Sequence, residues 1–253
     1  MRKWVVGIAV MAGVGLAGCQ RHSGPSATHV LTKMSAAAAA VDSGTIQAHQ
    51  TVKASGETVT NRTKMQFSTD PTVLHATVAI GAPKVKTQTI ALYQTQATAY
   101  VQTAGKWYKQ NTADLGVNVK AIQQTMTTKA FTQAAAKAKG KVTTKGHTYV
   151  VTVSGHGKAL RPLVKQVLRY GSADNTQVAA QVKASKIKAV TYTVTVAKKT
   201  FLPKRVHLSM TLTTNGTKLV ETATQTYTQL NAGHTVTIPA AVRQQATTAT
   251  TDR

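Results

Sequence analysis

The chain has 253 residues, with 31 Lys and Arg against seven Asp and Glu and a formal net charge of +24. A single cysteine, Cys19, excludes an internal disulfide and a multi-thiolate metal centre. Aromatic residues are only 5 % and the basic residues are spread along the chain, so the basic–aromatic interleaving that stacks bases is missing and no nucleic-acid partner is expected.

The chain opens with Arg2 and Lys3, followed by an uncharged, mostly apolar run from Trp4 to Leu16. That run is too short for a membrane-spanning helix, which needs ~20 apolar residues, and has the form of a secretory signal core. It ends in Leu16-Ala17-Gly18-Cys19, which resembles the bacterial lipoprotein box. The resemblance implies cleavage before Cys19 and a diacylglyceryl group on its sulfur. The membrane is then a partner through the anchor, and the protein sits on the outer face of the cytoplasmic membrane. Residues 1–18 are read as signal peptide and 19–27 as a polar tether. Residues 28–243 are read as one folded domain and 244–253 as a disordered tail.

Thr28 to Val41 has apolar residues at helical spacing and a run of alanines, with Thr28 placed to cap it and Asp42-Ser43-Gly44 to stop it. From Thr45 the period becomes two. Thr45–Lys53, Thr58–Ser68, Thr72–Ile80, Thr87–Tyr93, Ala97–Thr103 and Lys106–Gln110 are predicted strands, with turns at Ser55-Gly56, Asp70-Pro71 and Ala104-Gly105. Val117 to Ala138 is a predicted helix with Ile122, Met126 and Phe131 near one face. Lys141–Thr144 and His147–Ser154 form a hairpin. A helix follows from Ala159 to Tyr170, with Pro162 in its first turn, and Asp174 or Asn175 is placed to cap a further short one ending near Ala184. The last strands are clearest: Val190–Val196, Val206–Thr213 and, after Asn215-Gly216, Lys218–Tyr227. Thr235–Ile238 is a closing strand before Pro239. Strands and helices are segregated, which predicts an α+β fold. Its long antiparallel sheet has one apolar and one Thr-rich face and must curl, and the helices are the elements available to cover the concave side.

No catalytic motif stands out. Val153-Ser154-Gly155-His156-Gly157 is not G-x-S-x-G, and a strand-end turn explains it. Ser185-Lys186-Ile187-Lys188 matches S-x-x-K without the companion S-D-N and K-T-G motifs. Eight histidines are scattered with no H-x-H or H-E-x-x-H spacing. With so few acids, paired-carboxylate catalysis is poorly supplied, and Glu57 and Glu221 are the acids left open for it. No enzyme activity, metal or cofactor is expected. Trp107 and Tyr108 suit either a cavity mouth or the core.

The helix leading directly into strands and the C-terminal group carry a further resemblance. That group is Lys198-Lys199-Thr200-Phe201-Leu202-Pro203-Lys204, a strand, Asn215-Gly216, a strand, and Val236-Thr237-Ile238-Pro239. In this order and with the lipoprotein box, the chain resembles the LolA/LppX-like superfamily of lipoproteins. The resemblance implies a half-open antiparallel barrel with a helical lid and, from several members, a lipid, a glycolipid or lipidated cargo held between sheet and lid. The cavity-lining residues would then be Leu160, Leu163, Val164, Val167 and Leu168 of the lid helix and Val194, Val196, Leu208 and Met210 of the sheet. Arg161, Lys165 and Arg169 lie at i, i+4 and i+8 on the opposite helix face, where they would meet lipid headgroups. The other reading of this helix is plain packing on the sheet with a solvated basic face. The other reading of the whole protein is a surface module that binds anionic cell-wall polymer or membrane through its basic exterior.

Overall fold

The computed structural model describes residues 24–115, 129–169 and 175–248. Leu16, Ala17, Gly18 and Cys19, the helix read from Val117 as far as residue 128 (with Ile122 and Met126), Asp174 and residues 249–253 lie outside them. So do the side chains of Val167 and Arg169.

Helix α1 spans Ala27–Ala39. Its cap is Ser26 rather than Thr28. Ser26 has the extended backbone of an N-cap and its hydroxyl accepts the His29 N–H at 3.1 Å, whereas Thr28 already lies inside the helix. Six strands follow: β1 Ser43–Ala54, β2 Glu57–Thr69, β3 Thr72–Ala82, β4 Val85–Gln94, β5 Thr98–Thr103 and β6 Lys106–Asn111. Helix α2 occupies Lys129–Lys137, and β7 Lys141–Lys145 and β8 Thr148–Gly155 come next. A 3-10 turn, Lys158–Leu160, leads into α3, Arg161–Arg169, and α4 spans Asn175–Ala184. The chain ends with β9 Lys186–Ala197, β10 Pro203–Thr214, β11 Thr217–Thr228, α5 Ala240–Gln245 and β12 Thr247–Thr248.

All twelve strands join one sheet in the order β12-β6-β5-β4-β3-β2-β1-β11-β10-β9-β8-β7. Neighbours are antiparallel except β12 and β6, which run parallel. The edges β12 and β7 do not meet, so the sheet is open, and the twist of so many long strands makes it curl. The predicted half-open architecture is the observed one. The Asn215-Gly216 turn has both residues at positive φ, 49° and 80°, as a tight hairpin between twisted strands requires.

Register sorts the side chains onto two faces. Thr45, Gln66, His75 and Tyr93 are successive cross-strand partners on the outer face, joined by Thr191, Thr193, Thr222, Thr224 and Thr226. The inner face carries most of the buried apolar side chains, which form two clusters. In the first, Val30, Leu31 and Met34 of α1, Phe131 and Ala135 of α2, and Leu163 and Val164 of α3 pack on Val153, Tyr192, Val194 and Met210. In the second, Ala38, Val41, Ile46, Phe67, Leu74 and Tyr227 close the opposite end.

Two expectations fail at the C-terminus. Thr235–Ile238 is not a strand. Both sides of β11 are already occupied, by β1 and β10, so the chain after it finds no free edge nearby. Residues 229–232 instead make a turn that packs Leu230 against the second cluster, and 233–239 run on as a strap beside Thr45, Gln66, His75 and Tyr93 of the outer face, before Thr247 and Thr248 pair with Tyr108 and Lys109. Ordered structure therefore continues past the tail boundary expected at residue 244, through α5 and β12.

Candidate functional site

The sheet's inner face is covered unequally. Over β8–β10 the helices lie directly on it. Leu160, Leu163, Val164, Val194, Val196, Leu208 and Met210 all fall in one buried cluster, and the half-buried Leu168 packs against it. The structure thus brings together these eight of the residues read as cavity lining, packed between helix and sheet. Arg161 does not simply face outward: its Nη2 donates to the Lys183 carbonyl at 3.1 Å, at the C-terminal end of α4. Lys165 is half-buried on the same helix.

On the other side of β11 the inner face is less covered among the described residues, and its apolar side chains alternate with Gln50, Asn61, Thr63 and Gln88. Val52 faces Val59, Val78 faces Ile90, and Leu92, Val101 and Tyr108 follow one another across β4, β5 and β6. Val59 and Ile80 remain 42 % and 38 % exposed, and Val52, Val78, Ile90, Val101 and Tyr108 are half-buried. Sequence reasoning placed the site under the lid helix and missed this half. The alternation of Val59, Val78 and Ile90 with polar neighbours was the available signal, but it does not say which stretch of the face the helices leave uncovered.

Glu221 stands where the covered and open halves meet. It is 3 % exposed, and among the described residues it is the one buried carboxyl or cationic side chain. Its cross-strand partners are Met210 and Val52, and Val52 is in turn paired with the exposed Val59. Gln50 Nε2 donates to Glu221 Oε1 at 2.8 Å. Burial pushes this carboxyl above its ordinary 4.5, and the Gln50 hydrogen bond pulls back in the other direction.

The outer face carries a second feature. The imidazole of His75 lies flat on Tyr93, with 4.2 Å between centroids and 9° between planes, and Trp107 is tilted against Tyr93 at 5.8 Å. Trp107 is thus an outer-face residue while its neighbour Tyr108 points inward. The strap roofs a cleft of about 340 Å³ beside this row, lined by Thr45, Gln66, His75, Tyr93, Gln229 and His234. Exposed cations, Lys53, Arg62, Lys64, Arg205 and Lys218, are spread over the same face of the sheet. Ser185 of the S-x-x-K match is buried and bonded to the Gln181 carbonyl at 2.7 Å and to Thr214 at 2.6 Å, a structural role.

Residues 26–247 match the model of a family of unknown function, DUF6612. The chain belongs to that family. No curated protein matches it. Among solved structures it is similar to the lipoprotein LppX of Mycobacterium tuberculosis, at 11 % identity over 83 % of this chain and 98 % of that one, with a TM-score of 0.45. LprF from Mycobacterium bovis is 14 % identical over 84 % and 95 % of the two chains, with a TM-score of 0.42. A LolA superfamily protein from Nitrosomonas europaea is 9 % identical over 87 % and 97 %, with a TM-score of 0.28. Among the described residues, no helix of this DUF6612 chain is long and apolar enough to cross a membrane.

Proposed function

We propose that this DUF6612 protein is a non-enzymatic binding protein, lipid-anchored through Cys19 at the outer face of the cytoplasmic membrane, that shelters the apolar part of a lipid or other amphiphile against the open half of its inner sheet face. One observation carries the reading: Val52, Val59, Val78, Ile80, Ile90, Val101 and Tyr108 share the inner face beyond β11 and stay half-buried or exposed. Exposed valine and isoleucine cost roughly 25 cal/mol per Å² of apolar surface left in water, and a hydrocarbon chain laid on them recovers that. The lipoprotein box supports the address, since two acyl chains hold a protein on a membrane where one holds it only marginally. The test is native mass spectrometry of the chain from residue 20 onward, purified from its own host without detergent. A discrete adduct of lipid mass that survives high salt is expected, and a clean unliganded mass overturns the reading.

A second reading rests on the outer face. The exposed Lys53, Arg62, Lys64, Arg205 and Lys218, in a chain of net charge +24, suit an anionic envelope polymer. Such binding weakens steeply as salt shortens the screening length, to ~3 Å at 1 M, whereas a sheltered acyl chain stays bound.

A further inference from the structure

The amphiphile reading says nothing about the headgroup; Glu221 does. A buried acid in a chain with 31 Lys and Arg and only seven acids would be expected to sit beside a cation. Its cross-strand partners are instead Met210 and Val52, its hydrogen-bond partner is an uncharged amide, and the residues two positions away on its own strand and face are Leu219 and Ala223. A carboxyl held this way loses hydration without gaining a counter-charge, which disfavours its ionised form. A structural residue at this point of an apolar face would be another valine or leucine.

The position of the pair has a direction. Ala223 and Leu219 pack toward the helix-covered cluster, while Gln50 is half-buried on β1 and Val52 leads to the exposed Val59. Glu221 therefore sits one strand spacing, ~4.8 Å, from Val52 and two from the exposed Val59, with Gln50 two positions from Val52 on β1. An amphiphile lying along that open half brings its headgroup to this inner border.

We propose that Glu221 and Gln50 form the headgroup anchor of that ligand, and that the headgroup carries an ammonium group. This rests on the amphiphile reading above. The carboxylate and the Gln50 amide oxygen are both acceptors, and an ammonium offers three donors and the positive charge that the site lacks. A phosphate or carboxylate headgroup would meet the acid with like charge, and a plain hydroxyl would leave it without a counter-ion.

The test uses the full-length, membrane-anchored protein and two photoreactive C16 probes that differ only at the head, a primary amine and an alcohol. Capture is read by mass spectrometry of the protein, with cross-linked peptides mapped. The wild-type chain is expected to capture the amine on the order of tenfold better than the alcohol, as one charge-assisted hydrogen bond gives. The near-isosteric Glu221→Gln is expected to lose that preference in the same membranes while still capturing the alcohol on β2–β6. Equal capture of both probes by the wild-type chain overturns the anchor and leaves the amphiphile reading standing. So does a preference that survives in Glu221→Gln. Capture of neither probe overturns the amphiphile reading, and the anchor with it.

Discussion

The ring of Phe131 lies flat on the ring of Tyr192, with 4.0 Å between centroids and 15° between planes. This single stack fastens α2 to the middle of β9, and both rings are buried. Truncation to Phe131→Ala removes the stack and leaves a cavity under the helix, which typically costs ~3–5 kcal/mol. The expected result is a lower urea midpoint at unchanged slope; an unchanged midpoint would show that α2 is held by something else.

Gly140 sits where α1, α2 and β8 approach most closely. A Cβ placed there would lie 3.0 Å from the Ala27 Cβ, 3.3 Å from the Ala135 Cβ and 3.3 Å from a Val153 methyl. None of these is the end of a flexible side chain, so the neighbours must move as whole elements. Gly140→Val is expected to destabilise by ~1–3 kcal/mol, read as a loss in thermal midpoint.

Glu221 links stability to pH. Its folded carboxyl keeps its proton to higher pH than the unfolded one, whose ordinary value is 4.5. Between the two values the folded state binds more protons, so stability falls as pH rises through that window and stays reduced above it. Glu221→Gln is therefore expected to be more stable than the wild type at pH 7 and level with it near pH 4. Denaturant titrations of both proteins across that range check this, and parallel curves would refute it.

His75 acts with the opposite sense. Burial, and then the nearby Lys64, hold its imidazole below the ordinary 6.5. The folded state binds fewer protons just below pH 6.5, so His75 contributes stability that is present above 6.5 and lost as pH falls toward its folded value. An NMR titration of the His75 ring is expected to give a midpoint below 6.5. Lys64→Gln is expected to move that midpoint part of the way back.

Much of the fold was legible in the sequence because strands and hairpins are local. Alternation such as Val190, Tyr192, Val194 and Val196 against Thr191, Thr193 and Thr195 states both the strand and its two faces, and Asn215-Gly216 states the turn. The candidate site was less legible. Leu160, Leu163 and Val164 have the stripe of a lid helix, but that stripe is equally the stripe of a helix packed flat on a sheet, which is how it lies. Glu221 gave no signal, because its strand reads Leu219, Glu221, Ala223, Gln225, Tyr227 on one face and Lys218, Val220, Thr222, Thr224, Thr226 on the other, with both rows mixed.

By itself the sequence determined the strand periods, the tight turns and the division into an apolar and a Thr-rich face. Each depends on residues within a few positions of one another. Only the tertiary structure decided that β1 pairs with β11, two strands more than 160 positions apart. That pairing puts Glu221 beside Val52 and, with β10 on the other side, leaves β11 no free edge, so the C-terminal strap crosses the outer face. Strand order and register are set by which distant segments bury each other's side chains, and no local pattern carries that choice.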